Sequence, residues 1–207
     1  MSDQPEDYSS TPPQRQETFR RVISVAIFLA IVTGVAYAWQ LYDGRYHLAT
    51  VQPGVLYRDG ARKASELQAA IAKVRPRTVV CLVDDHEFAD PAKPQFREEI
   101  DLLKQLGIRM ERIPVQLGGW PSSEDVQKFL ATVAEPGNQP VLVHCAQGVR
   151  RTGMMVAAYQ VSVLGYDKDR AKAEIMTFGH SQNTIDDIRR FIDGYDAKTR
   201  TVTGVGK

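Results

Sequence analysis

The sequence predicts an α/β domain with a mostly parallel central sheet flanked by helices, preceded by a single N-terminal transmembrane helix. Three observations lead there. From about Asp43 onward, short β-branched apolar runs alternate with segments whose apolar residues recur every three or four positions, the pattern of a parallel sheet covered by helices. Between Val22 and Tyr42 the chain carries no charged residue; at about 1.5 Å rise per residue, a helix of that length matches the ~30 Å hydrocarbon core of a bilayer. A last apolar run, Pro140 to His144, leads through a short loop into a second long apolar segment, which reads as strand, loop and buried helix.

Taken in order, residues 1–21 are rich in Ser, Pro, Gln and charge and lack apolar periodicity, so they are expected to form a disordered tail. Residues 22–42 form the expected membrane anchor, with Arg20-Arg21 suited to one interface and Trp39 and Tyr42 to the other. A cleaved signal peptide is the alternative, because Ala36-Tyr37-Ala38 fits a small-x-small cleavage site. Arg15, Arg20 and Arg21 precede the segment and only Arg45 and Arg58 follow at comparable distance. This bias favours an extracytoplasmic domain, although an oxidising compartment threatens a reactive thiolate.

Residues 43–207 form the expected domain. Gly54 to Arg58 reads as a short edge strand. Leu67, Ala70, Ile71 and Val74 make a helical stripe ended by Pro76. Thr78 to Val83 is a continuous apolar run, the mark of a strand buried on both faces. Phe96, Ile100, Leu103 and Leu106 form a second stripe closed by Gly107, and Ile108 to Ile113 a further strand. Val126, Phe129, Leu130 and Val133 form a third stripe, with Ser122 as its N-cap and Asp125 at the third helical position. Two more helices are expected around Lys168–Phe178 and Thr184–Tyr195.

Composition narrows the function. The 207 residues hold 26 basic and 25 acidic side chains, a net charge of +1, so no basic excess points to nucleic acid. The two cysteines, Cys81 and Cys145, are too few for a disulfide scaffold.

The chemistry is concentrated in Val141-Leu-Val-His-Cys-Ala-Gln-Gly-Val-Arg-Arg-Thr-Gly153. A loop between strand end and helix start turns successive backbone N–H groups inward as an anion nest, and the helix N-terminus adds partial positive charge. The same field favours a thiolate at Cys145. A phosphate cradled there would sit over a nucleophilic sulfur.

His144-Cys145-x-x-Gly148-x-x-Arg151-Thr152-Gly153 resembles the signature loop of cysteine-dependent protein phosphatases, and its surroundings resemble the dual-specificity branch. The resemblance implies a phosphotyrosine-phosphatase-like fold and a metal-independent reaction without cofactor. Cys145 would attack phosphorus and form a phosphocysteine intermediate. Arg151 would grip two phosphate oxygens with its planar fork, and Thr152 would donate to the sulfur as it leaves. Backbone amides of Ala146, Gln147, Gly148, Val149, Arg150 and Arg151 would bind the remaining oxygens. Gly148 allows a close turn, His144 orients the loop by hydrogen bonding within it, and the Arg150 side chain points to solvent or substrate.

One part of the family pattern is missing. The leaving group calls for a carboxylic acid, which the family carries after the strand that here ends near Ile113-Pro114. The sequence there is Pro-Val-Gln-Leu-Gly-Gly-Trp-Pro-Ser; Trp120-Pro121 resembles a Trp-Pro-Asp loop with Ser122 in place of the acid. Asp84 and Asp85 are the other candidates, a solvated charged run being their alternative. The loop interior holds a single basic residue, Arg150, whereas relatives acting on inositol phosphates carry lysines there. This favours a phosphoprotein substrate, phosphotyrosine if the cleft is deep, over a phosphoinositide or inositol phosphate. A membrane-anchored phosphate-binding pseudophosphatase is the reading from another class. Cys81 reads as a core residue, but the resemblance also allows a protective disulfide with Cys145.

Overall fold

The computed structural model describes residues 13–43, 47–61, 63–178 and 181–204. The chain divides into two units, residues 1–43 and 44–207. In the first, α1 (Pro13–Asp43) is a single 31-residue helix whose described side chains from Thr18 to Trp39 are exposed, Phe19, Phe28 and Trp39 among them. Residues 1–12 of the expected tail lie outside the described residues. Residues 13–21, expected within the tail, form the first turns of α1.

The second unit is built on five strands, β1 (Ala49–Gln52), β2 (Leu56–Gly60), β3 (Thr78–Cys81), β4 (Arg109–Arg112) and β5 (Val141–Cys145). Their order is β1-β2-β5-β3-β4, with β1 antiparallel and the other pairings parallel. The sheet is therefore mostly parallel, as its apolar runs require. The segment read as an edge strand is β2, an inner strand. The edge is β1, whose Ala-Thr-Val-Gln carries too little apolar alternation to announce itself.

Helices cover both faces. Residues of α5 (Ser123–Ala134), α6 (Arg150–Ser162), α7 (Lys168–Phe178) and α8 (Gln182–Gly194) pack with Val80, Leu82, Val141, Val143 and Cys145. The opposite face, with Val79, Cys81, Val83 and Leu142, is covered by α2 (Ala64–Val74), α3 (Asp85–Ala89) and α4 (Gln95–Gln105). Ten consecutive residues of α6, from Arg151 to Gln160, are buried, which accounts for its lack of polar periodicity. A short hairpin, β6 (Tyr195–Asp196) with β7 (Thr201–Val202), closes the chain.

Two details follow from local sequence. Ser122 and Asp125 form a reciprocal capping box at the start of α5, as expected. The α4 stripe is rotated from its expected setting: Phe96, Glu99 and Leu103 are buried, whereas Ile100 and Leu106 are 42% and 51% exposed. A carboxylate thus occupies a core position where apolar periodicity selects isoleucine.

Candidate active site

Strand β5 ends in Cys145, residues 146–149 bend sharply, and α6 begins at Arg150. Gly148 carries φ +69° and its N–H donates to the Cys145 sulfur at 3.2 Å. A side chain there would run into the carbonyl of Asp59, so glycine is required both by φ and by space. The loop's carbonyls are held outward by cationic or ring donors. Arg58 Nη2 donates to the Gly148 carbonyl at 2.6 Å, and His47 Nδ1 lies 2.6 Å from that of Gln147. Turning these carbonyls away leaves N–H groups facing the sulfur. Burial brings the Arg58 guanidinium down to about 10, against the opposing pull of Cys145 and Glu174, and its plane stacks on the Phe178 ring.

Cys145 is 2% exposed and lies in the lining of a cavity of about 310 Å³ with Ala146, Gln147, Arg150, Arg151, Glu87 and Lys93. Burial pushes its thiol up, but Arg151, the Thr152 hydroxyl and the N–H groups of Thr152 and Gly148 outweigh that and hold it below the ordinary thiol value. The Thr152 hydroxyl has no oxygen or nitrogen partner among the described residues. An anion nest over a sulfur biased toward thiolate can hold a tetrahedral oxyanion in line for attack.

Arg151 is aimed by a residue that sequence patterns do not single out. Its Nη1 donates to Glu87 Oε2 at 2.5 Å and to the carbonyls of Leu82 and Val115 at 3.3 and 3.2 Å; Nη2 reaches Glu87 Oε1 at 3.3 Å. This two-point clamp leaves the Nε edge of the fork for an anion. Glu87 is buried on α3, inside the run Asp84-Asp85-His86-Glu87 that reads as solvated. The signal for it is spacing: Glu87 and Phe88 form the only inward face of a helix five residues long.

The candidate acids have other employment. Asp84 is buried; Oδ1 caps α3 by accepting from Glu87 N at 2.7 Å, and Oδ2 accepts from Leu117 N at 2.7 Å. Burial raises its carboxyl, yet these two N–H groups and the Arg151 charge outweigh burial and hold it below the usual carboxylate range. Asp85 is exposed and pairs with Arg112 at 2.9 Å. The segment 117–120 carries no carboxylate, as its sequence states. Arg150, expected toward solvent or substrate, lines the cavity and is also tied to that segment: Nη1 and Nη2 donate to the Gly119 and Gly118 carbonyls at 2.5 and 2.6 Å. Asp187 on α8 joins the clamp, accepting from Arg150 Nε at 2.5 Å and from Trp120 Nε1 at 2.9 Å.

His144 does not bond within the loop. Its ring faces the other side of the sheet, where Nε2 lies 2.7 Å from Glu99 Oε1. Cys81 is its register partner on β3, so the Cys81 thiol projects among Val83, Phe88 and Phe96 while Cys145 packs with Val143 and Val149. Both thiols are free, and a disulfide between them would need the backbone to move, since they leave opposite sheet faces. Cys81, Glu99 and His144 bring three potential metal-donor atoms within 4.8 Å of one another, on the face away from Cys145.

Comparison with known proteins places this geometry. Residues 57–190 match the family described as DSP-PTPase phosphatase fused to NAD+ kinase. The dual specificity protein phosphatase TpbA of Pseudomonas aeruginosa is 27% identical over 161 residues, covering 77% of this chain and 67% of TpbA. The inositol diphosphatase SIW14 of Saccharomyces cerevisiae is 26% identical over 107 residues, half of this chain and 35% of the relative. Among solved structures, the Siw14 catalytic core superposes with a TM-score of 0.62 at 20% identity, covering 75% of this chain and 88% of that one. P. aeruginosa TpbA in complex with pTyr gives 0.58 at 24%, covering 75% and 88%. These likenesses establish an α/β phosphatase fold, and the family match extends over most of the sheet and the whole loop. The chain belongs to the DSP-PTPase family and is a cysteine-dependent phosphatase.

Proposed function

We propose that this enzyme hydrolyses phosphate monoesters of proteins, phosphotyrosine foremost, through a phosphocysteine intermediate on Cys145. The observation that carries this reading is the sulfur at the cavity floor, inside an inward-facing N–H loop and favoured as thiolate by Arg151. In the first step the Cys145 sulfur attacks phosphorus, an S–P bond forms and the P–O bond to the leaving group breaks. Arg151 and the amides of residues 146–151 hold the three equatorial oxygens. In the second, water attacks phosphorus and an O–P bond forms as the S–P bond breaks. The water's proton leaves with inorganic phosphate or to solvent, and Thr152 donates to the thiolate that is released. The pTyr complex of the relative TpbA supports the aryl ester as substrate. Cys145→Ser should abolish turnover of an aryl phosphate and of a phosphotyrosine peptide while the wild type hydrolyses both. Equal turnover by the variant would dispose of the nucleophile.

A second substrate class is favoured by the carboxylates. Glu87 is spent on Arg151 and Asp84 on two backbone N–H groups, so neither is free to protonate a departing oxygen. A diphosphate group needs no such help, because its leaving group is phosphate, and the relative SIW14 is an inositol diphosphatase. Lys93 in the cavity lining, paired with Glu87 and Asp90 at 3.9 and 3.6 Å, is the cation placed to meet further phosphate charge. A kcat/KM for a diphosphoinositol polyphosphate well above that for phosphotyrosine peptide would select this class. We read α1 as a membrane anchor, on its length and its uncharged surface from Val22 to Trp39.

A further inference from the structure

Behind the nucleophile loop, the sheet carries a row of ionisable side chains. Asp59 on β2, His144 on β5 and Cys81 on β3 are register neighbours, so all three project from the face opposite Cys145. Two helices close over them. Glu66 from α2 is 4% exposed and acts on Asp59; Glu99 from α4 is 1% exposed and reaches His144. The Glu99 carboxylate bridges two strands, with Oε1 2.7 Å from His144 Nε2 and Oε2 3.8 Å from the Cys81 sulfur. The other ring nitrogen of His144 has no partner among the described residues.

This arrangement is not what stability alone selects. Helix α4 turns a glutamate inward and leaves Ile100 42% exposed one position later. Replacing a buried ion pair with apolar residues of similar volume is often neutral or stabilising. A carboxylate retained at a core position therefore calls for a role, and its partner is the residue directly before Cys145.

We propose that Glu99 is a positioning residue for the nucleophile: by gripping the His144 ring from α4, it fixes the end of β5 and so sets the reactivity of the Cys145 sulfur. The inference rests on Cys145 being the nucleophile. Burial disfavours a charged imidazole, but the Glu99 carboxylate outweighs it and, with Cys81, holds His144 well above the ordinary histidine value. His144 directly precedes Cys145 in β5, so the ring held by Glu99 sets how the strand end presents the sulfur to the loop's N–H groups. His144 also anchors the strand through its carbonyl, which accepts from Leu82 N at 2.9 Å. The groups that titrate around the ring are Asp59, Cys81, Glu66 and Glu99. Of these, burial raises Asp59 to about 7 and raises Cys81 as well, and the carboxylate in contact with the ring is that of Glu99.

The test uses the full-length chain in detergent. The rate of iodoacetamide alkylation at Cys145, read by mass spectrometry across pH, reports the thiolate fraction independently of turnover. Glu99→Gln should move the midpoint upward by roughly one pH unit, and kcat/KM at pH 6 should fall about tenfold; Glu99→Asp should recover part of both. An unchanged midpoint in a folded Glu99→Gln protein would overturn the proposal. If that variant does not fold, nitrogen-15 spectra of wild-type histidines decide. A His144 ring with both nitrogens protonated at pH 8 supports it, and a neutral ring overturns it. Failure of the nucleophile reading looks different: Cys145→Ser would keep its turnover while the His144 spectrum stayed as in the wild type.

Discussion

At the scale of single residues, the site is held by charged side chains that never reach the surface. Glu87 clamps Arg151 on one edge, so Glu87→Gln should leave the guanidinium present but loosely aimed. We expect kcat/KM to fall roughly ten- to a hundredfold, the range of one or two charge-assisted hydrogen bonds, with a larger fall in phosphate or vanadate affinity than in Cys145 alkylation. Equal losses in both would mean that Glu87 acts on the whole loop and not on the fork. Asp59 gives a pH prediction. Burial, with the Glu66 charge, raises its carboxyl to about 7 against the lowering pull of the Gly60 N–H and His144, and Oδ2 has no partner. The folded state therefore holds this proton between about pH 4 and 7 while the unfolded chain releases it. Its contribution to stability is fully present below pH 4 and is lost as pH rises through 7. Asp59→Asn should stabilise the protein at pH 8, on the order of 2 kcal/mol, and much less at pH 4.5. Denaturant titrations at the two pH values measure the difference, and a gain that is the same at both would contradict the assignment.

At the scale of elements, the segment after Ile113-Pro114, where the family resemblance implies an acid, is a tied loop without a carboxylate from Leu117 to Trp120. Arg150 from α6 and Asp187 from α8 grip the Gly118 and Gly119 carbonyls and the Trp120 indole, whose ring also packs edge-on against Phe191. Asp84 pins the same segment from the other side through Leu117 N. Asp187→Ala removes the hub and leaves Arg150 partly uncompensated. Amide exchange at Leu117 to Trp120 should accelerate at least tenfold while the β5 amides keep their protection. Unchanged exchange in the loop would show that the two carbonyl contacts suffice without the carboxylate. The same clamp gives Arg150, which also lines the cavity, a second role that its place in the loop does not announce. A basic residue in an anion-binding loop invites a substrate role, and its partner lies 37 residues away on another helix.

At the scale of the whole molecule, the fold delivers the chemistry to the carboxyl end of the parallel strands, where β5 hands over to α6. The core clusters lie within residues 44–207, so deletion of residues 1–43 should leave kcat for an aryl phosphate within about twofold of wild type. On the reading of α1 as an anchor, the same deletion should move the protein from the membrane fraction to the soluble one. Retention in the membrane fraction would transfer anchoring to the phosphatase unit.

Sequence alone determined the alternation of strands and helices, the buried α6 and the loop from His144 to Gly153, because each is written locally. Period, turn residues and a fixed spacing of Cys, Gly and Arg are properties of neighbours in the chain. The capping box at Ser122 and Asp125 was legible for the same reason. Only the tertiary structure decided which distant carboxylates serve the loop. Glu87, Glu99 and Asp187 reach Arg151, His144 and Arg150 across separations of 64, 45 and 37 residues. It also set the faces of Cys81 and Cys145, since parallel register, and not proximity along a strand, determines which thiol meets which helix. A buried charge is stable only beside its partner, and no periodicity in the sequence records where that partner will be.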